Sequence, residues 1–442
     1  MGPVGRRGSV LTLGPLVAVM FFTVSGGPFG LEGLVGDVGP GVAILLLVLT
    51  PLLYSVPETL IIGELASMLP AEGGYYQWVK RAFGRFAGFT NGWLSWMYSL
   101  IDMAIYPVLL LQYLQFFTGP LGRLSAWLVA LALIWGATWL NLRGTRTVGL
   151  ASGWFTALVL APFAVLAGAA LARWLAHPAV AFSGAPFRVG GTTFLGALGL
   201  GISQSVWNYS GWDNASTVGG EIEESGATYP RALLRALPLV TLAYLLGVVP
   251  ALAVSNWRIW SDGAWPAIGV AVTGRWLAAW LAAAGMVSAF ALFNALLLVY
   301  SRIPLVLARD GLLPAALGTT DARGTPRRAV VASAVGYSIF ALLSFGGLLA
   351  ADVLLYTAAL AMEFAALLAL RRREPQLVGA FRVPVGVPVL AAMAALPVLV
   401  LVVAVVLEVR SRAIGLVGVL VAAACGAAGP LVYVALRRRG AD

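Results

Sequence analysis

The stretch FFTVSGGPFG, residues 21–30, decides the fold. It lies inside an apolar run that is otherwise long enough to cross a membrane, yet Ser25, Pro28 and three glycines stand near the middle of that run. Glycine and proline weaken a helix, and proline also removes a backbone donor. Inside a bilayer, broken backbone is tolerated only where protein covers it or where it lines a cavity. The stretch therefore predicts a broken membrane helix and makes the break a candidate binding site.

The composition of the whole chain is that of a membrane protein. Of its 442 residues, 60% are hydrophobic and 10% are charged, and the mean hydropathy is +0.91. A soluble domain carries roughly 25% charged residues. We therefore expect an all-α polytopic membrane protein embedded in a lipid bilayer. Cys425 is the single cysteine, so no internal disulfide is possible.

Apolar runs of about 20 residues, the length that crosses a bilayer, predict twelve spans. Their approximate limits are 11–36, 40–68, 85–117, 122–141, 147–172, 193–218, 231–254, 274–307, 328–348, 351–370, 388–408 and 413–436. With the N-terminus in the cytoplasm, 21 of the 28 Lys and Arg residues fall in the inner segments and 7 in the outer ones. Cytoplasmic loops carry an excess of Lys and Arg, so both termini are predicted to be cytoplasmic, and the same rule explains the net charge of +10.

The high content of Ala, Arg and Gly is typical of a GC-rich bacterial genome, which predicts a location in the cytoplasmic membrane.

A second interruption, NYSGWDN at residues 208–214, breaks the sixth span. It lies five spans after the first break, so the two breaks occupy corresponding places in two five-helix halves. An odd-numbered repeat must be inverted in the membrane, and paired discontinuous helices in inverted repeats indicate the midplane site of a transporter. We therefore expect repeats at residues 1–172 and 193–370, followed by two additional helices at 388–436.

The first break offers hydrogen-bond donors. The amides of Gly26, Gly27 and the residues that follow are expected to be free, and a half-helix begins nearby. A helix N-terminus favours an anion, so the carboxylate of a substrate, if it has one, is expected here. The alternative is a simple kink, or close packing of the glycines against a neighbouring helix.

The second break offers hydrogen-bond acceptors. Tyr209, Ser210 and Gly211 would present carbonyl oxygens to a cation or an ammonium group. Trp207 and Trp212 would close over that group or give it a cation–π face.

Three acidic residues at membrane depth are candidates for substrate binding or ion coupling. A carboxylate inside a bilayer is costly and is by default a functional hypothesis. Asp213 either has such a role or caps the second half-helix of span 6. Asp102 lies well inside span 3, where it either faces the cavity or makes an interhelical hydrogen bond. Glu363 interrupts span 10 and either carries a proton or pairs with a polar group of a neighbouring helix.

Other acidic residues are interpreted as structural. Glu58 and Glu64 in span 2 are expected to be paired within the protein. The acidic run at residues 221–224 is expected to form local salt bridges with Arg231 and Arg235 at the cytoplasmic surface.

No arrangement of residues points to catalysis. The only histidine, His177, is predicted to lie in an outer loop, so a His-based metal site or catalytic triad is not expected. The chain has no GxxxxGK[ST] motif, so direct use of ATP is not expected. We therefore expect neither an enzyme nor a cofactor, a resident metal or a nucleic-acid partner.

Several longer motifs resemble one group of transporters. They are VSGGPFG, SVPETLIIGELASMLPAEGGYYQWV, IDMAIYPVLLLQYL, WNYSGWDNASTVGGEIEESGATYPRAL, DGLLP and LRRREPQLVGAFRVPVGVP. The chain resembles the amino acid–polyamine–organocation (APC) superfamily in these motifs. Within it, the resemblance is to the plant-type polyamine uptake and L-type amino acid transporter branch.

The resemblance implies a fold and a function. It implies a LeuT-like 5+5 inverted repeat with discontinuous helices 1 and 6, alternating access, and proton-driven uptake of a small amine-bearing solute. Carried over by position, it implies substrate contacts from Ser25 to Phe29 and from Tyr209 to Asp213. It also implies that Asp102 holds an amino group of the substrate.

The chain departs from this pattern at three places. Plant members commonly have Glu where this chain has Thr23, which we also count as a substrate-binding candidate, and several have Glu where it has Asn294. Polyamines are polycations without a carboxylate, so these replacements leave polyamines and amino acids both open as substrates. Many superfamily members carry a lysine in span 5, which is absent from VGLASGWFTALVLAPF. Three mechanisms therefore stay open: transport coupled to a proton carried by Asp102, Asp213 or Glu363, transport coupled to sodium, or transport without a coupling ion.

Two other functions stay open. A gradient-independent exchanger would use the same site. A membrane sensor or a channel is the alternative from another class, and the few scattered charged residues argue against a continuous polar path.

Overall fold

The computed structural model describes residues 11–176, 194–341, 348–411 and 416–439. Within these ranges the chain is helical, with two isolated backbone bridges and no longer strand. In chain order the helices are α1 (Leu13–Val24), α2 (Glu32–Val38), α3 (Pro40–Thr50), α4 (Val56–Met68), α5 (Gly74–Phe83), α6 (Arg85–Asp102), α7 (Ile105–Thr118), α8 (Arg123–Asn141), α9 (Thr145–Ala176), α10 (Phe194–Asn208), α11 (Ser225–Val254), α12 (Trp265–Val272), α13 (Arg275–Tyr300), α14 (Arg302–Arg309), α15 (Arg327–Phe340), α16 (Leu348–Arg373), α17 (Val387–Ser411) and α18 (Leu416–Arg439). His177 lies outside the described residues.

Eight of the described helical segments are long and apolar enough to cross a membrane. They are Pro40–Met68, Arg85–Thr118, Arg123–Asn141, Thr145–Ala176, Ser225–Val254, Arg275–Arg309, Asp352–Arg373 and Val387–Leu407. The other four predicted spans contain α1, α10, α15 and α18. The chain is therefore a multi-pass membrane protein, while the number of twelve spans stays a prediction.

The first and sixth predicted spans are both interrupted. α1 ends at Val24 and α2 begins only at Glu32. α10 ends at Asn208, and the chain continues through two short 3-10 turns, Asn214–Thr217 and Gly219–Glu221, instead of the expected second half-helix. Adjacent glycines and β-branched residues in ASTVGGEI have low helix propensity, which accounts for the difference.

Span 3 contains an interruption that was not predicted. α6 ends at Asp102 and α7 begins at Ile105. Pro107 lacks the amide that would bond the Met103 carbonyl oxygen in a continuous helix, so the helix is kinked just before it. The kink places the Asp102 carboxylate at the end of a helical segment deep in the protein.

A wide π-turn, Pro51–Ser55, joins α3 to α4. Such turns carry an extra residue and are frequent at functional sites. The turn brings Tyr54 to the second break, where its hydroxyl lies 3.1 Å from Ser210 Oγ.

A partly buried ion pair joins segments that are distant in the chain at the predicted cytoplasmic end of α1. Arg302 Nη2 lies 2.9 Å from Glu221 Oε1, and it also donates to Thr145 Oγ1 at 2.9 Å. The Leu11 amide donates to the Glu221 carbonyl oxygen at 2.8 Å. For Glu221 the predicted salt bridge with the arginines of α11 was wrong, because the fold packs the start of α14 against this turn.

Candidate functional site

A cavity lies between the two breaks. Its walls come from both breaks, the kink of span 3, α13, α16 and α17. The lining residues are Thr23, Val24, Gly26, Phe29, Tyr98, Asp102, Tyr106, Leu109, Val206, Trp207, Asn208, Ser210, Gly211, Asn214, Leu292, Tyr300, Asp352, Val353, Tyr356 and Leu401. This lining, drawn from the described part of the chain, contains two carboxylates and no Lys, Arg or His.

Neighbouring side chains satisfy the carbonyl groups of the first break. Ser288 Oγ donates to the Gly26 carbonyl oxygen at 2.6 Å, and Trp265 Nε1 donates to the Pro28 carbonyl oxygen at 3.0 Å. A Cβ atom on Gly26 would overlap the side chains of Ser288 and Leu292. Gly26 is therefore both packed tightly against α13 and part of the cavity lining.

The chain's own side chains also occupy amides of the first break. The Gly27 amide donates to Ser25 Oγ at 3.0 Å, and the Gly30 amide donates to Glu32 Oε2 at 2.7 Å. Glu32 is fully buried, and its other carboxylate oxygen accepts from the Tyr113 hydroxyl at 2.6 Å. Two amides that were expected to be free for a substrate carboxylate thus already have acceptors.

The second break touches the end of α1 at Gly211. Its φ angle is +99°, in the region that favours glycine. A Cβ atom at this position would overlap the Thr23 carbonyl oxygen, in the last turn of α1 just before the first break. Glycine is therefore needed at this contact for both its backbone conformation and its lack of a side chain.

Two tyrosines hold the Asp102 carboxylate. The Tyr106 hydroxyl donates to Oδ1 at 2.9 Å, and the Tyr300 hydroxyl donates to Oδ2 at 3.0 Å. Asp102 is 6% exposed and lines the cavity. Asp102 was expected either to face the cavity or to make an interhelical hydrogen bond. It does both, because it lines the cavity and bonds to Tyr300 of α13.

The Tyr356 hydroxyl lies between two buried carboxyl groups. It is 2.8 Å from Glu58 Oε1 and 2.9 Å from Asp213 Oδ1, and it accepts from the Gly211 amide at 3.0 Å. A hydroxyl has a single proton to donate. Both short contacts can be hydrogen bonds only if one of the two carboxyl groups carries a proton. Asp213 makes no side-chain capping hydrogen bond to the 3-10 turn that follows it.

Tyr98 joins these two acidic sites with an aromatic wall. Its ring makes edge contacts with Tyr300 at 5.7 Å and with Tyr356 at 5.3 Å between ring centroids. The Tyr98 hydroxyl donates to Asn214 Oδ1 at 2.9 Å. All three rings line the cavity, so the wall offers aromatic faces beside carboxylates, a pairing that suits organic cations.

Trp207 separates the cavity from a second pocket, which lies toward the predicted outer side and is here called the outer pocket. Both pockets are lined by Trp207, Leu109 and Asn208. The outer pocket also contains Asp262, whose pKa is raised by burial and, to a smaller extent, by the nearby Asp37. Trp207 is therefore in a position to close the cavity on one side.

The structure brings together many of the residues predicted to bind substrate. Seven of them line the cavity: Thr23, Gly26, Phe29, Asp102, Trp207, Ser210 and Gly211. Five others belong to the breaks but are not among the lining residues: Ser25, Gly27, Tyr209, Trp212 and Asp213. These five stand behind the lining; the Tyr209 hydroxyl, for example, donates to the Leu47 carbonyl oxygen at 2.9 Å.

Two further predicted positions lie away from the cavity. Asn91 Nδ2 donates to Glu363 Oε1 at 3.3 Å, so the interhelical pairing of Glu363 is present. Asn294 Oδ1 accepts from Asn141 Nδ2 at 2.8 Å. Neither Glu363 nor Asn294 lines the cavity. The replacement of the plant-type Glu by Asn294 therefore removes no acidic group from the cavity walls.

Sequence reasoning missed several residues of the site. Asp352 lines the cavity, and it precedes Tyr356 by four residues, which puts both on one face of α16. This spacing was a usable signal. Glu58 was expected to be structural, but it shares a tyrosine with Asp213. Glu32 stands directly after the first break and was not considered.

Comparisons with known proteins agree with this architecture. A sequence model of the amino acid permease family matches residues 14–425. A probable polyamine transporter of Arabidopsis thaliana is 34% identical over 386 residues, which is 85% of this chain and 78% of the relative. The polyamine transporter RMV1 of the same plant is 35% identical, over 85% of this chain and 76% of the relative. The polyamine transporter PUT1 of Oryza sativa subsp. japonica is 34% identical, over 87% of this chain and 71% of the relative.

The match to the family covers nearly the whole chain, and the plant relatives align over most of their own length. The multi-pass helical architecture and the cavity between two broken helices fit the same group. This chain belongs to the amino acid permease family of the APC superfamily and is a membrane transporter, not an enzyme.

Proposed function

We propose that this protein is a secondary transporter of polyamines and that it binds them in the cavity between the two breaks. The observation that carries the proposal is the lining of that cavity. Asp102 and Asp352 supply negative charge, tyrosine and tryptophan rings surround them, and no basic side chain of the described residues lines the walls. Such a lining matches ammonium groups on an aliphatic chain. The names of the plant relatives point to the same substrate class.

The first break gives a reason to favour polyamines over amino acids. An amino acid needs donors for its carboxylate. The Gly27 and Gly30 amides already bond to Ser25 and Glu32. A second carboxylate at this place would also lie beside the buried Glu32 carboxylate, and two carboxylates close together disfavour each other's charged form. A polyamine has no carboxylate and meets neither obstacle.

The transport cycle is proposed to be alternating access. In this scheme residues 1–172 and 193–370 form the inverted repeats of a LeuT-like fold, and residues 388–436 lie outside them. Trp207 would move to open the outer side, and the Glu221–Arg302 pair would separate to open the inner side. We further propose that the protein lies in the cytoplasmic membrane with both termini in the cytoplasm.

Coupling to protons is proposed to use the carboxyl pair at Tyr356. The contacts of the Tyr356 hydroxyl with Glu58 and Asp213 require a proton on one of these two carboxyl groups. Of the three coupling candidates, Asp213 thus has the strongest support. Asp102 is assigned to the substrate, and Glu363 lies further along the same helix as Tyr356, where it bonds to Asn91.

Uptake into proteoliposomes tests the proposal. We expect putrescine and spermidine to accumulate when the outside is more acidic than the lumen, with protons entering alongside them. A protonophore should abolish the accumulation. Counterflow that is unaffected by the protonophore, without accumulation, would indicate an exchanger instead. Uptake of α-amino acids alone would contradict the proposed substrate class.

A further inference from the structure

Asp352 is an acidic residue of the cavity that lacks a donor. It lies near the start of α16 and is 5% exposed. Its Oδ1 atom is buried, and none of the described residues donates a hydrogen bond to it. A buried carboxylate oxygen without a donor is costly. Because the side chain lines the cavity, the missing donor can come from a bound molecule.

The other acidic side chains around the two breaks each have at least one hydrogen-bond partner. Asp102 accepts from two tyrosines. Asp213 and Glu58 share a third tyrosine. Glu363 accepts from an asparagine, and Glu32 accepts from a backbone amide and a tyrosine. Glu58 Oε2 and Glu363 Oε2 also lack a donor among the described residues, but neither of these side chains lines the cavity. Of the two acids that do line it, Asp102 has both oxygens bonded, and Asp352 has a carboxylate oxygen with its hydrogen bond still to be made.

Two carboxylates on different helices face one cavity. Asp102 stands at the kink of span 3, and Asp352 stands on α16, which packs against α6. Leu109, Val353 and Leu401 contribute apolar surface to the same lining. The arrangement suits a molecule with two cationic ends joined by methylene groups.

We propose that Asp352 binds the second ammonium group of the substrate and thereby makes the cavity selective for diamines and longer polyamines over monoamines. This inference rests on the proposed function, since it assigns a residue within the same substrate site. Asp102 binds one ammonium group, and Asp352 binds the other. A monoamine of similar length uses only the Asp102 end.

The test compares putrescine with butylamine, which has the same carbon chain and one amine fewer. Binding of both amines is measured by calorimetry on the purified full-length protein and on the variants Asp352→Asn and Asp102→Asn. We expect the wild-type protein to bind putrescine at least tenfold more tightly than butylamine. Asp352→Asn should weaken putrescine binding at least tenfold and change butylamine binding less than twofold. Asp102→Asn should weaken both.

Two controls separate charge and folding from recognition. Glu223→Gln removes one negative charge from an exposed position outside the cavity and should leave both affinities unchanged. Asp352→Glu keeps the negative charge and should retain most of the preference for putrescine. It provides a second test of the inference if Asp352→Asn proves unstable. The inference is overturned if wild type binds both amines equally, or if Asp352→Asn leaves the ratio of the two affinities unchanged. If wild type binds no amine at all, the proposed function fails as well.

Discussion

At the scale of single residues, the Tyr356 hydroxyl joins three buried polar groups. It touches two carboxyl groups and one backbone amide, which together require a proton on one of the acids. Replacing the hydroxyl by hydrogen keeps the ring and its edge contact with Tyr98. The hydroxyl can therefore be removed while the aromatic wall stays in place.

Tyr356→Phe should uncouple the transporter. Without the hydroxyl, Glu58 and Asp213 lose the group that links them, and we expect substrate-dependent proton entry to fall at least tenfold while downhill putrescine uptake continues. The measurement is proton entry per putrescine in proteoliposomes that contain a pH-sensitive dye. The matched control is Tyr433→Phe, because the ring of Tyr433 packs against Phe86 and Phe89. An unchanged proton ratio in Tyr356→Phe would remove this tyrosine from the coupling scheme.

At the scale of helices, a buried ion pair fixes the end of α16. Arg371 donates to both oxygens of Glu64, at 2.6 and 2.5 Å, and to the Val383 and Val385 carbonyl oxygens. The side chains of Arg371 and Glu64 are only 4% and 1% exposed. The predicted pairing of Glu64 is thus confirmed, with a partner far away in the sequence.

Glu64→Gln should destabilise the protein strongly. It leaves the Arg371 charge buried without its counterion, and breaking a buried pair in this way costs about 3–5 kcal/mol. The free energy of unfolding is measured by titration with denaturing detergent. The matched control is Glu374→Gln, which breaks an exposed pair with Arg81 near the end of the same helix and should cost little, because exposed pairs are screened by water. Equal losses in both variants would show that burial of the pair contributes nothing.

The helices also show how far the sequence could predict the site. The breaks at 25–31 and 209–213 were predictable because glycine and proline act locally. The kink at Asp102 was missed, although Pro107 was a local signal for it. The partners of Asp102 and Asp213 could not be predicted, because Tyr300 and Tyr356 lie in distant helices and reach the site only through tertiary packing.

At the scale of the whole molecule, the predicted cytoplasmic side is closed by contacts between distant segments. Arg302 of α14 pairs with Glu221, and Glu221 is also bonded through its backbone to Leu11, just before α1. These contacts hold α1 against the turn that follows the second break. In the proposed alternating-access cycle, opening of that side would require the Glu221 contacts to be lost.

Glu221→Gln should loosen the predicted cytoplasmic end of α1. The variant leaves Arg302, which is 1% exposed, without its counterion. We expect faster hydrogen–deuterium exchange in residues 11–24, because opening costs less free energy. Glu223→Gln, the exposed neighbour, should leave the exchange unchanged. If both variants exchange at the wild-type rate, the Glu221–Arg302 pair does not hold this side closed.

The central claim is that the cavity between the breaks binds polyamines. The most direct measurement is the melting temperature of the purified protein with each of the common amino acids and with putrescine, spermidine and spermine. A ligand at 100 times its Kd stabilises the folded state by about 2.7 kcal/mol. We predict that the polyamines raise the melting temperature of wild type and that Asp102→Asn loses the effect. A rise with α-amino acids alone would contradict the account.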